Sequence, residues 1–225
     1  MSVIIPALNA GDDLAACLRS LSDGVDCGLI REGILADGGS SDQTEDIARA
    51  AGLRVVRSRR GRGLQLRAGA DIATGEWLLF LHADTVLDSG WIKSVKGSLG
   101  DPKRFSVFRL RFRDRGLAPA IVARGAMART KLLSLPFGDQ GLLISRLLYK
   151  QSGGYQPLAL FEDVEFIERL TSVYGKRSLR IMKATASTSA SRYKERGYLH
   201  QVGKNALRLV RYKSGADIER LAAEY

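Results

Sequence analysis

The acidic residues at the ends of apolar runs are where this sequence could do chemistry. Asp84 follows the run Trp77-Leu78-Leu79-Phe80-Leu81 after two intervening residues. A buried strand would deliver that carboxylate to the rim of a sheet, where it could hold a hard divalent ion together with substrate phosphates. A helix cap or a turn explains the position equally well. Asp37 ends a second apolar run and opens a Gly38-Gly39-Ser40-Ser41 turn. Small residues there allow close approach of a ligand, and the carboxylate could accept a hydrogen bond from a base or sugar, although an Asx-turn looks the same in sequence. Glu162-Asp163 opens a predicted helix after Phe161. Acids in a first turn ordinarily complement the helix dipole. The sharper reading is a general base that deprotonates a hydroxyl nucleophile.

Basic residues supply the complementary chemistry. Arg59, Arg60 and Arg62 surround Gly61 and Gly63 before a predicted helix. The third glycine of G-x-G-x-x-G is absent and the segment follows the third strand, so a dinucleotide site is not expected. Arginines at a helix N-terminus still suit a diphosphate, against the plainer reading of a solvated loop.

The elements that must position these groups alternate. Apolar runs at residues 2–8, 32–36, 53–57 and 77–81 read as strands, separated by helical patterns at 14–21, 42–51 and 64–73. Asp42 with Glu45 has the spacing of a capping box. This pitch implies βαβ units and a parallel sheet, with ligands beyond the C-terminal strand ends. After residue 100 the pattern changes. It reads as a half-exposed strand over 104–112, a helix over 118–133, a polar turn over 138–141 and a short strand over 142–145. A helix from 162, a strand over 178–184 and a basic helical region from 195 follow.

Composition bounds the answer. The chain has 225 residues, 45% hydrophobic and 26% charged, ordinary values for a globular protein. Two cysteines, Cys17 and Cys27, make no disulfide framework, and Cys17 falls on an apolar helical stripe and reads as core. A reducing, cytoplasmic setting is expected. No apolar run approaches the length of a membrane span, and no basic residue precedes the first apolar run, which therefore reads as a strand and not an address. The net charge of +11 favours anionic partners: phosphates, nucleic acid or an acidic membrane. Aromatics at 7% and the lack of a recognised motif argue against a nucleic-acid-binding module. Two basic faces stand out. Arg109, Arg111 and Arg113 alternate with Phe108, Leu110 and Phe112; Lys204, Arg208 and Arg211 recur beside an apolar set of Val202, Leu207, Leu209 and Val210. The second is either the solvated side of a packed helix or a peripheral membrane contact.

Taken together, Val3 to Asn9, Asp37 to Thr44, Leu81 to Thr85 and Phe161-Glu162-Asp163 form an ordered series that resembles glycosyltransferase family 2. Pro136 to Gln140 and residues 187–197 resemble a subgroup labelled arsenosugar-biosynthesis-type glycosyltransferases. The resemblance implies the GT-A fold: one α/β domain over 1–225, with a mixed, mainly parallel sheet flanked by helices. Residues 1–100 would form the nucleotide-binding half, 101–193 the acceptor-binding half and 194–225 basic C-terminal helices. It implies a nucleoside diphosphate sugar donor, a hydroxyl acceptor and inversion at the anomeric carbon; the basic faces, not the resemblance, suggest that the acceptor is lipid-linked or phosphorylated.

By the same resemblance, Pro6, Ala7, Asn9 and Asp37 line the nucleoside pocket, with Ala83, and Arg62 approaches the base or diphosphate. Asp84 matches the last acid of the D-x-D motif and binds Mn²⁺ or Mg²⁺. Asp163 is the catalytic base, while Asp139, Gln140 and Glu162 line the acceptor side. His82 stands where D-x-D has its first Asp. The absence of Q-x-x-R-W favours single transfer over polymerisation. A nucleotidyltransferase would need a Gly-rich loop ending in Arg after the first strand, where this chain has Ala7-Leu8-Asn9-Ala10-Gly11. A non-catalytic nucleotide-sugar-binding relative is the remaining alternative.

Overall fold

The computed structural model describes residues 1–114 and 116–223, without the side chains of residues 192, 195, 196, 199, 219 and 223. Its first part is β1 (Ser2–Ala7), α1 (Gly11–Asp26), β2 (Glu32–Asp37), α2 (Thr44–Ala50), β3 (Arg54–Arg57), α3 (Arg62–Ile72) and β4 (Trp77–Phe80). Strands β1 to β4 pair in parallel in the order β3-β2-β1-β4. The chain thus winds outward from β1 to β3 and then returns to the other side of β1. That reversal opens a crevice beyond the C-terminal ends of β1 and β4, the usual ligand position in such sheets.

The second part completes one eight-stranded mixed sheet, with β5 (Thr85–Leu87), β6 (Phe105–Phe112), β7 (Leu142–Ser145) and β8 (Leu179–Thr188). β7 runs antiparallel between β4 and β6, β8 lies parallel to β6, and β5 is antiparallel to β8. The helices here are α4 (Trp91–Lys96), α5 (Leu117–Leu133), α6 (Arg146–Gln151), α7 (Glu162–Tyr174), α8 (Ser191–Arg196), α9 (Tyr198–Lys213) and α10 (Ile218–Ala223). The α/β architecture and mainly parallel sheet are those expected.

Alternation within the strands builds two cores. Val3, Ile5, Leu35, Leu79 and Leu143 face α1 and α4, while Ile4, Ile34, Leu78, Phe80 and Ile144 face α3, α6 and α7. Each fully buried Ile or Leu contributes about 2 kcal/mol, which is why β1 reads as a continuous apolar run and not an alternating one. Cys17 is buried in the first core, as its stripe implies. A third cluster joins Leu110 and Phe112 of β6 to Ala123 of α5 and to Tyr193 and Tyr198.

Several expectations change. The capping box does not form: Asp42 instead accepts bonds from Thr44 N and Gly11 N, tying α2 to the start of α1, and Glu45 pairs with Arg57 at 2.6 Å. β6 is half-exposed only near its end, because the covering layers bury residues 105–108 on both faces. β8 runs four residues past the expected end, and β5, α4 and α6 had no separate sequence signal.

Gly63 lets α3 dock. A Cβ there would overlap the Gln156 carbonyl oxygen and lie 3.0 Å from Leu158 N. Gly63→Ala is therefore expected to lower stability by about 1–3 kcal/mol in urea unfolding. Gly125→Ala, in an exposed part of α5 with nothing within 4 Å of the added carbon, should instead raise it by up to about 1 kcal/mol.

Candidate active site

One cavity gathers most of the acids singled out above. Arg62, Asp84, Asp139, Glu162 and Asp163 all line it, together with His82. Four different parts of the chain converge: the start of α3, the segment after β4, the 3-10 turn Gly138–Gln140 before β7, and the first turn of α7.

The first turn of α7 holds its acids tightly. Phe161 sits just before it with φ +61°, a left-handed conformation, and its ring stacks on Tyr212 of α9. Glu162 is only 1% exposed. Burial pushes its carboxyl up to about 7, opposed by Arg62, whose Nη1 is 3.5 Å from Oε1, and reinforced by Asp163. Asp163 is fixed by two backbone donors, Gly138 N at 2.6 Å to Oδ2 and Val164 N at 2.7 Å to Oδ1. The Val164 donor belongs to the first helical turn, which leaves such N–H groups without intrahelical partners. Gly138 allows that approach, since a Cβ there would lie 2.7 Å from His82 Nε2.

Asp139 is pushed up to about 6, burial outweighing the nearby Arg129 guanidinium, and Asp163 and Asp84 add to the rise. Its buried Oδ1 has no hydrogen-bond partner among the described residues. Arg129 lies 3.4 Å over the Phe137 ring and donates from Nε to Leu135 O at 2.9 Å, and its own burial lowers its pKa.

Asp84 Oδ1 accepts from Thr85 Oγ1 at 3.3 Å and Thr188 Oγ1 at 3.2 Å. Oδ2 has no protein donor among the described residues, so an oxygen ligand remains at the cavity wall. No cluster of three or more His, Cys, Asp or Glu side chains able to hold a metal occurs among the described residues. A donor set this small fits Mg²⁺ or Mn²⁺ in the mode that takes one carboxylate and completes the shell from substrate phosphates and water.

The remaining candidates lie elsewhere. Pro6, Ala7 and Ala83 are buried or nearly so at the ends of β1 and β4. Asp37 is fully buried and spent on its turn: Oδ2 accepts from Gly39 N and Ser40 N, and Oδ1 from Ser40 Oγ at 2.5 Å. Asn9 Oδ1 accepts from Ser41 N at 2.9 Å. Gln65 joins the two strand ends by donating to Ala7 O and Ala36 O. Gln140 is a correction: its side chain does not line the cavity. It is buried, accepting from Thr130 Oγ1 and donating to Phe108 O, because the β6 carbonyl needs a donor inside the core.

The basic stripe on α9 is also corrected. Arg208 is 6% exposed and lines the cavity beside Gln201 and Asn205, whereas Val202, Leu207 and Val210 are exposed. The helical spacing of 201, 205 and 208 was visible in sequence, but reading that face as polar lining required knowing that it covers a cavity. Phe137 and Tyr193 fall within the segments 136–140 and 187–197 that carry the family resemblance, though neither was singled out, and Arg129 carried no sequence signal of a site role.

Glu162 gives a pH signature. Below its ordinary value of 4.5 the group is protonated whether folded or unfolded. As pH rises toward about 7 the unfolded chain sheds the proton first, so stability falls across that window. Glu162→Gln should lose this fall. Its stability, followed by melting, should gain on wild type between pH 4.5 and 7, by an amount on the order of 1–3 kcal/mol at pH 8. A constant difference across the range would contradict the burial argument.

Comparison with known proteins agrees with this architecture. The sequence is 44% identical over 93 residues to a PGL/p-HBAD biosynthesis glycosyltransferase of Mycobacterium bovis, a match covering 38% of this chain and 36% of the relative. It is 36% identical over 95 residues to a glucosyl-3-phosphoglycerate synthase of Mycolicibacterium paratuberculosis, covering 38% of this chain and 29% of that one. The chain thus matches about a third of the length of these curated relatives. The fold is similar to the crystal structure of glucosyl-3-phosphoglycerate synthase from Mycobacterium tuberculosis in complex with Mn²⁺ and uridine-diphosphate-glucose. There the TM-score is 0.65 at 23% identity, over 83% of this chain and 70% of that one. Residues 2–142 match the description of glycosyl transferase family 2, more than half of the sequence, and the chain belongs to that family.

Proposed function

We propose that this protein transfers a single sugar from a nucleoside diphosphate sugar to a hydroxyl acceptor, without polymerising it, with inversion and with the help of Mn²⁺ or Mg²⁺. The observation that carries the reading is the single cavity in which Asp84 and Asp163 sit on separate elements. Inverting transfer needs these two functions apart: charge neutralisation at the leaving diphosphate and a base at the incoming hydroxyl.

Asp84 would hold the metal, which when bound supplies positive charge for the departing diphosphate. Arg62, at the N-terminus of α3, adds a guanidinium beside a first turn whose N–H groups have no partner within the helix. Asp163 accepts the proton of the acceptor hydroxyl as its oxygen bonds to the anomeric carbon and the carbon–oxygen bond to the diphosphate breaks on the opposite face. The Gly138 N–H holds Asp163 in one orientation for that task. Phe112, Phe137 and Phe161 line the cavity and limit water there, protecting the donor from hydrolysis.

Pro6, Ala7, Asn9, Asp37 and Ala83 would shape the nucleoside side, Asp37 acting through the turn it holds. A uridine donor is the first to test, since uridine-diphosphate-glucose with Mn²⁺ is bound by the M. tuberculosis synthase of similar fold. Residues 136–140 and 187–197 suggested an arsenosugar-type subgroup. The relatives described above carry other labels, so the acceptor is proposed only as a hydroxyl compound. A second reading puts the base on Glu162, because a carboxyl near 7 suits proton transfer at neutral pH.

Kinetics on two variants separate these readings. Asp163→Asn should lower turnover roughly 10²- to 10⁴-fold with nucleotide affinity retained. Near-normal turnover there, with a comparable loss in Glu162→Gln, would move the base to Glu162. Nucleotide binding tests the metal assignment by thermal shift. At about 100 times its dissociation constant, a nucleoside diphosphate with Mn²⁺ should stabilise wild type by roughly 2.7 kcal/mol, and Asp84→Ala should lose the metal-dependent part. Equal affinity with and without Mn²⁺ in wild type would contradict the role of Asp84.

A further inference from the structure

Helices α5 and α9 pack beside each other and carry an unusual surface. Of the ten large hydrophobic side chains exposed among the described residues, seven belong to these two helices. Leu117, Ile121, Leu132 and Leu133 lie on α5, with Leu117 83% and Leu132 77% exposed. Val202, Leu207 and Val210 lie on α9. On α5, positions 117, 121, 125, 128 and 132 follow helical spacing, and the spacing places Leu117, Ile121 and Leu132 on one stripe with Gly125 and Ala128. On α9 the usual polarity is inverted: Gln201 and Arg208 are buried toward the cavity while the apolar residues look outward.

Charge indicates what covers this surface. α5 contains Arg124, Arg129 and Lys131, and α9 contains Lys204, Arg208, Arg211 and Lys213, with no Asp or Glu in either helix. Arg124, Lys131 and Lys204 are exposed beside the apolar residues. A second copy packed face to face across a two-fold would set these cations against their own kind. An anionic bilayer instead accepts both features at once, apolar side chains into the headgroup boundary and Lys and Arg against lipid phosphates. No helix among the described residues is long and apolar enough to cross a membrane, so the contact would be peripheral.

We propose that the outer faces of α5 and α9 dock the protein on an anionic phospholipid surface. The inner face of α9 forms part of the cavity wall, so docking holds the cavity close to the headgroups. Its value for choosing a lipid-anchored acceptor rests on the proposed transferase reading; the docking itself does not.

The test is flotation of the full chain with vesicles of phosphatidylcholine alone or with about one third phosphatidylglycerol. Binding to the anionic vesicles should be tighter by roughly tenfold or more and should weaken as salt rises. Ile121→Asp and Val210→Asp should each lose roughly tenfold of that binding, while Val25→Asp, on α1, should keep it. Circular dichroism and melting establish that each variant is folded, and Lys131→Glu with Lys204→Glu provides a second route that leaves every apolar residue in place. Nucleotide binding, read separately, should be unchanged in all of them. Equal binding to neutral and anionic vesicles, no binding at low salt, or folded Ile121→Asp and Val210→Asp variants that bind like wild type would overturn the proposal. So would a dimer in sedimentation velocity that Ile121→Asp dissociates.

Discussion

Four carboxylates share one cavity, and keeping them together is the constraint on which the rest of the structure depends. Asp84, Asp139, Glu162 and Asp163 would repel one another if all were ionised in a partly dry site. The protein answers in three ways. Asp139 and Glu162 are pushed toward neutrality, to about 6 and about 7. Arg62 and Arg129 bring positive charge from two directions. Asp163 and Asp84 are each fixed by two donors from the chain itself.

Such an arrangement cannot be built from one stretch of chain. The antiparallel β7, inserted between β4 and β6, brings the Gly138–Gln140 turn beside the end of β4. That turn then offers Gly138 N to Asp163, linking the sheet to α7. Gln140 secures the same turn from behind through Thr130 and the Phe108 carbonyl. Its neighbour Asp139 faces the cavity, so adjacent residues divide the work of anchoring and lining.

The sequence made legible what depends on local pattern. Buried parallel strands announce themselves as unbroken apolar runs, and Asp84 stood out as a carboxylate just after one, while Glu162-Asp163 stood out as the acidic start of a helical pattern. What depends on tertiary partners was hidden. Gln140 reads like any polar turn residue until the β6 carbonyl it serves is known. Arg208 reads as solvated because a helical stripe of cations normally is, and only the cavity beneath α9 reverses this. β5 has three residues, too few to show a period, and exists because β8 offers it an edge.

Phe161 has a consequence beyond packing. Successive residues of an α-helix point about 100° apart, so Glu162 and Asp163 have different addresses only because α7 begins where it does. The left-handed backbone at Phe161, pinned by the Tyr212 ring, sets the phase of the helix. A residue gained or lost in the loop before it would leave that phase intact. The same change inside the first turn would rotate one acid into the other's place, exchanging the buried carboxyl for the one held by Gly138. A change of length therefore spares the phase of α7 on one side of residue 161 and shifts it on the other.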